Sequence, residues 1–327
     1  MIDVLFIAPS NSKGIYQDLA KDYAGIEPPT WACLLAESCR SVGYSVDILD
    51  TGALNLKHQE SIEVIKEKNP RLICFVCYGQ NVNAGTTIMS GAVSLSTSIK
   101  VSGIDIPIAY IGSHVQALPY ETLDREPSID FVFTNEGVYA LRDLLSRKNF
   151  MDELEDIRGI GYRKDGKPVL TPTSMLVPSH KMDEDLPGYA WDLLPYDEKP
   201  FDLYRCPMWH AEYDIDKRTP YASISTSLGC LFRCEFCMIN IVNRDDDDEI
   251  GVAGNYNVMR YWSTDFVLKQ FDKLVEMGVE NIRIIDEMFL LNPKYYKPLC
   301  EGIIERGYGD NLRMWAYSRV DTIRRPD

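Results

Sequence analysis

Between residues 1 and 147, short apolar runs alternate with longer segments of helical period, and this rhythm restricts the fold more than any other property of the chain. The runs Val4–Ala8, Ser45–Leu49, Leu72–Val76, Ile106–Ile111 and Phe131–Phe133 are almost continuous in Val, Ile, Leu and Phe. Strands of that character are covered on both faces. Thr30–Val42, Gln59–Lys68, Ala84–Lys100, Val115–Leu123 and Val138–Arg147 read as the helices between and after them, with Gly43 as a C-cap. The alternation predicts an α/β fold, a flavodoxin-like doubly wound parallel sheet with helices on both faces. Ligands of such sheets lie beyond the carboxyl ends of the strands. Cys74 and Cys77 form a C-x2-C within the third run, but residues i and i+3 of a strand point to opposite faces. Buried thiols are expected there rather than a redox pair.

From residue 148 to 220 the rhythm stops. Gly159–Val169 reads as a β-hairpin turning at Asp165-Gly166, a strong turn pair. Leu186–Pro195 is proline-punctuated and extended, with Trp191 and Leu193 placed to pack it onto a neighbour. No chemistry is assignable to Cys206–His210, although His210 or Tyr213 beside a substrate is an alternative.

A second strand–helix series occupies 221–327. Ala222–Ser227 reads as a strand, and Ser263–Met277 as an amphipathic helix with Phe266, Val267, Phe271, Leu274 and Val275 at helical spacing, closed by Gly278. Asn281–Glu287 is a strand ending in the carboxylates Asp286 and Glu287, and Arg313–Asp321 a third strand with its loop. The series fits the start of a (β/α) barrel, whose active loops follow the strands. The acidic run Asp245–Asp248 with Glu249 reads as a solvated loop, selection of a cationic substrate being the alternative.

The first strand of that series leads into Gly229-Cys-Leu-Phe-Arg-Cys-Glu-Phe-Cys237, a C-x3-C-x2-C loop. Three thiolates on one short loop suit three irons of a 4Fe–4S cluster, with the fourth iron left for another ligand. A structural zinc site closes with four Cys or His ligands. Cys206, His210 and Cys300 offer no partner pair at ligand spacing, so zinc is the weaker reading.

These residues carry a resemblance. The cysteine loop, with aromatic Phe236 before its last Cys, resembles that of radical S-adenosylmethionine (radical SAM) enzymes. Pro28–Ala36 followed by Gly43–Asp50, then Gly112-Ser-His114 with Ala117-Leu-Pro119, and Asn135-Glu-Gly137, resemble the cobalamin-binding domain fused to many of them. The resemblance implies that Cys230, Cys234 and Cys237 hold the cluster. It implies that S-adenosylmethionine chelates the open iron and is cleaved to a 5′-deoxyadenosyl radical. Asp286-Glu287 then stands where the family binds the methionine amino group, and Arg319 is a candidate catalytic residue near cofactor or substrate. Asp50, Gly112, His114, Glu136 and Gly137 are candidates on the cobalamin side. The D-x-H-x-x-G motif of cobalamin mutases is absent, so the axial ligand stays unassigned, and His114 is expected to be a hydrogen-bonding loop histidine.

The resemblance further implies a small-molecule substrate, an electron donor such as flavodoxin or ferredoxin, and methyl transfer to an unactivated carbon or phosphorus. A cyclisation or rearrangement, or a non-catalytic cobalamin- or cluster-binding module, are the other readings. The family barrel needs about six βα units of roughly 30 residues, more than residues 238–327 hold, so a partial, truncated barrel is expected. The domains are then 1–147 cobalamin-binding-like, 148–220 connector and 221–327 the first half of the barrel. With 49 acidic against 34 basic residues, the net charge of −15 argues against a nucleic-acid partner. No basic leader, no membrane-length apolar run and nine cysteines point to a reducing, cytoplasmic setting.

Overall fold

The computed structural model describes residues 1–20, 24–79, 81–197, 203–205, 220–251 and 258–323. Cys206, His210 and Tyr213 lie outside them. Strands β1 (Val4–Ala8), β2 (Val46–Asp50), β3 (Leu72–Val76), β4 (Ile108–Ile111) and β5 (Phe131–Phe133) are parallel, in the order β2-β1-β3-β4-β5. This is the flavodoxin-like order, whose switch point falls between β1 and β3. Alternate side chains separate into two cores. Leu5, Ile7, Ile73 and Phe75 meet the helices His58–Lys68 and Gly85–Val101. Val4, Phe6, Leu72 and Cys74 meet Thr30–Arg40 and Val138–Ser146 on the other face. Cys74 and Cys77 sit in different cores, and burial pushes both thiols well up.

Three expectations shift. The second strand runs one residue later and ends on Asp50. The fourth begins at Ile108, past Pro107, which has no N–H for the ladder. The segment expected as one helix over 115–123 is two, Ser113–Ala117 and Pro119–Arg125. Pro119 cannot donate and therefore starts a helix instead of continuing one. The hairpin β6 (Ile160–Lys164) and β7 (Lys167–Leu170) turns through Asp165 and Gly166, both at positive φ. It pairs antiparallel with β5, so the sheet grows to seven strands.

The C-terminal series holds β8 (Tyr221–Ile224), β9 (Ser227–Leu228), β10 (Arg260–Tyr261), β11 (Asn281–Ile284) and β12 (Arg313–Ala316). Strands β12-β11-β8 form a parallel sheet, and β9 pairs antiparallel with β10. Ser263 caps the helix Thr264–Glu276 through the Phe266 N–H. That helix and Pro293–Glu305 pack Val267, Phe271 and Leu299 over Ile282 and Ile284. The opposite face carries Arg283, which pairs with Glu27 at 2.6 Å and stacks on Trp315. One core runs from the first sheet through Tyr189 and Trp191 into this half. Among the described residues no helix is long and apolar enough to cross a membrane.

Candidate functional site

At the switch point of the large sheet lies a cavity of about 320 Å³, lined by Ser10, Asn11, Glu27, Trp31, Asp50 and Tyr78 among others. Asp50 closes β2 at its edge. Its Oδ1 accepts the N–H groups of Gly52 and Ala53 at 3.0 Å, and its Oδ2 the Tyr204 hydroxyl at 2.9 Å. Burial pushes its carboxyl up to about 6 against the pull of these bonds.

The other candidates on this half stand at the ends of β4 and β5. Gly112, at φ +152°, passes so close to Cys77 that a Cβ would sit 2.2 Å from its carbonyl oxygen. Gly137, at φ +69°, would set a Cβ 2.4 Å from Ile111 Cδ1. Gly112 is therefore required by the close backbone approach, and Gly137 is favoured by its left-handed φ. His114 Nδ1 lies 3.0 Å from the Thr86 hydroxyl, and burial holds its pKa down. Glu136 is buried in a bidentate ion pair with Arg260, and also accepts the Val177 N–H at 3.0 Å.

The cysteine loop follows β9. Cys230 is buried, whereas Cys234 and Cys237 are partly exposed, and the Cys237 N–H donates to the Cys234 carbonyl at 3.0 Å. Burial raises the Cys230 and Cys237 thiols, and the charges of Glu287 and of the neighbouring thiols raise them further. Phe236 is 83% exposed, pointing away from the core. Arg319 stacks over Phe232, inside the loop, at 4.1 Å and pairs with Asp321 at 3.0 Å.

The adjacent carboxylates divide. Asp286 is fully enclosed, and its oxygens accept the Thr226 N–H and the hydroxyls of Thr226 and Ser227, each at 2.6 Å. Glu287 has no hydrogen-bond partner among the described residues, and burial followed by the Asp286 charge raises its carboxyl. Both line a second cavity of about 160 Å³ between the two halves, with Trp31, Tyr78, Gln116 and Leu228.

Two residues that the sequence did not flag matter at this junction. Asn83 Oδ1 accepts the Met238 N–H at 2.8 Å. The Asn135 side chain donates to the Arg244 carbonyl at 3.0 Å and accepts its N–H at 3.2 Å. The one sequence signal was the Asn135-Glu-Gly137 run, read there for its last two members. Within the acidic run, Asp246 takes the N–H and hydroxyl of Thr173, at 2.5 and 2.8 Å, and Arg158 at 2.7 Å, which hold its carboxyl down at about 2.

The donor sets fit the implied cofactors. Among the described residues no three His, Cys, Asp or Glu side chains converge on a single-ion site. A cubane asks for something else, one thiolate per iron, and three thiols on one loop match that donor set. The mutual repulsion of those thiols is the kind a bound cation reverses. On the sheet side, Ser113 Oγ, Gln116 Oε1 and Thr134 Oγ1 are buried without partners among the described residues at the ends of β4 and β5. Such atoms suit a ligand rich in amide groups.

Residues 16–145 match the B12 binding domain. Over its whole length the chain is similar in fold to the cobalamin-dependent S-adenosylmethionine radical enzyme OxsB, with a TM-score of 0.68 at 17% identity, covering 100% of this chain and 40% of that one. The family match thus covers the first half, and the likeness in fold extends across both halves. Among individual proteins, the chain is 26% identical over 296 residues to the uncharacterized methyltransferase PH0819 of Pyrococcus horikoshii, covering 90% of this chain and 56% of that protein. It is 20% identical over 328 residues to the anaerobic magnesium-protoporphyrin IX monomethyl ester cyclase of Cereibacter sphaeroides, covering 98% of this chain and 47% of that protein. The chain thus spans about half the length of the relatives it matches.

Proposed function

We propose that the chain performs radical SAM chemistry assisted by cobalamin, transferring a methyl group to an unactivated carbon or phosphorus of a small molecule. The observation that carries this reading is the Glu287 carboxylate beside the cysteine loop, without a hydrogen-bond partner among the described residues, in a cavity whose other wall is the B12-type domain. When bound, the cluster and its S-adenosylmethionine supply a deoxyadenosyl radical, and the corrinoid supplies a transferable methyl group. Cys230, Cys234 and Cys237 are the thiolates for the irons. Glu287 is placed to accept an ammonium group, a contact that gains strength where water is excluded. Asp286 holds the turn between β8 and β9 and so aims the loop. Trp31 and Tyr78, packed at 5.6 Å between centroids, cover the cavity on the sheet side. A flavodoxin or ferredoxin is the expected electron donor, in a reducing, cytoplasmic setting. Likeness to the cyclase supports ring closure without methyl transfer as the second reading.

Anaerobic reconstitution tests the proposal. Iron near four per chain, a bound corrinoid, and a reduced-cluster resonance that shifts on adding S-adenosylmethionine are expected. Replacing any of the three loop cysteines by Ala is expected to abolish the brown chromophore. Glu287→Gln is expected to keep the iron and lose most of the shift. Corrinoid bound without iron would instead make the chain a cobalamin-binding module.

A further inference from the structure

The cysteine loop is anchored at both ends by the N-terminal half. Upstream, Leu228 of β9 pairs with Arg260 of β10, and Arg260 is gripped by Glu136 and by the Val177 carbonyl at 2.7 Å. Downstream, Asn83 takes the Met238 N–H immediately after Cys237. Six residues further on, Asn135 reads both backbone groups of Arg244, much as a neighbouring strand would. Asn135 is itself fixed. It stands at φ +52°, a left-handed conformation that Asn tolerates, its amide also donates to the Ser174 carbonyl at 2.7 Å, and its own carbonyl accepts from Gln116. Asn83, Asn135 and Glu136 lie on the loops that follow β3 and β5, on the rim where a ligand of the sheet is expected.

We infer that Asn83, Asn135 and Glu136 are positioning residues that set the cysteine loop against the ligand rim of the large sheet. This rests on the cluster reading given above. On that reading, one rigid rim fixes the distance and orientation between whatever the sheet binds and the irons held by Cys230, Cys234 and Cys237. The candidate Glu136, which also lines the second cavity, then acts on the loop through Arg260.

The test uses the full chain with Asn135→Gly, which keeps the left-handed backbone while removing the clamp, and Asn83→Ala, which removes one exposed acceptor. Asn83→Asp, which retains that acceptor, is the conservative control. After reconstitution, iron and corrinoid content are expected at the wild-type level in all three. Chelator removal of iron is expected to speed up about fivefold in Asn83→Ala, the factor equivalent to one net hydrogen bond, and by more than that in Asn135→Gly, which loses three. The shift of the reduced-cluster resonance by S-adenosylmethionine is expected to broaden in these two and to stay wild-type in Asn83→Asp. Wild-type chelation rates and line shapes in both disrupting variants would overturn the inference. If Asn135→Gly does not fold, Asn83→Ala against Asn83→Asp decides the matter. Should the wild-type chain take up no iron, the cluster reading falls, but the clamp is still read by hydrogen exchange over 238–246. Faster exchange in the two variants supports the clamp, and unchanged exchange sinks it.

Discussion

Asp50 sits at the end of β2 with both carboxylate oxygens turned into protein, and burial holds its pKa near 6. Unfolded, the same group titrates near 3.9. Between about pH 4 and pH 6 the unfolded chain therefore binds fewer protons than the folded one, and stability falls as pH rises through that window. The two-unit difference corresponds to about 3 kcal/mol. A melting temperature that declines from pH 4 to 6.5, and flattens in Asp50→Asn, is the expected outcome of a thermal-unfolding series. The sequence offered Asp50 as a candidate on the cobalamin side, and the strand that it closes puts it at the ligand rim. That its partner is Tyr204, 154 residues further along, was not written in any local pattern. The three cysteines were legible for the opposite reason, since their chemistry is encoded in spacing alone. Which member of Asp286-Glu287 faces inward depends on a turn that two adjacent acidic letters do not specify.

At the scale of elements, the connection from β8 to β9 is held by Asp286 rather than by a regular ladder. Removing its charge with Asp286→Asn leaves a backbone N–H and two hydroxyls competing for weaker acceptors. A loss of about 2 kcal/mol is expected, as for buried hydrogen bonds to a charged group. Glu287→Gln, which breaks no bond, is expected within about 0.5 kcal/mol of wild type. Urea unfolding of both proteins makes the comparison. Most strands and helices could be read from sequence because burial on two faces writes continuous apolar runs, and burial on one face writes a 3.6-residue period. Two features were not legible, for different reasons. Pro119 divides a helix whose apolar period runs through it. The β6–β7 hairpin was read as a hairpin, but it joins the sheet through the free edge of β5, and an edge leaves no trace in composition.

Across the whole molecule, the two halves share one core and a buried ion pair. Burial pushes the Glu27 carboxyl up while the Arg283 charge opposes the shift. The pair joins residues 256 apart in sequence, which is why no sequence pattern announced it. Removing one partner strands the other: Arg283→Met is expected to cost about 3–5 kcal/mol, and Glu27→Gln combined with it less than the sum of the single changes. Calorimetry is expected to record one transition for both halves, shifted as a unit in Arg283→Met. Two separated transitions in the unmutated protein would contradict the shared core.

The stretch from Leu186 to Tyr196 serves both halves at once. Ala190 donates its N–H to the Cys33 carbonyl on one side, while Tyr189 exchanges two hydrogen bonds of 2.9 Å with Ser225 on the other. Tyr196 reaches the Tyr221 carbonyl and Trp262 the Leu186 carbonyl, at 3.0 and 2.9 Å. An engineer transplanting the B12-type module onto a foreign barrel would have no clean seam to cut. A graft ending at residue 147 leaves behind the mortar, and a chimera that carries this stretch must also bring barrel residues able to receive it.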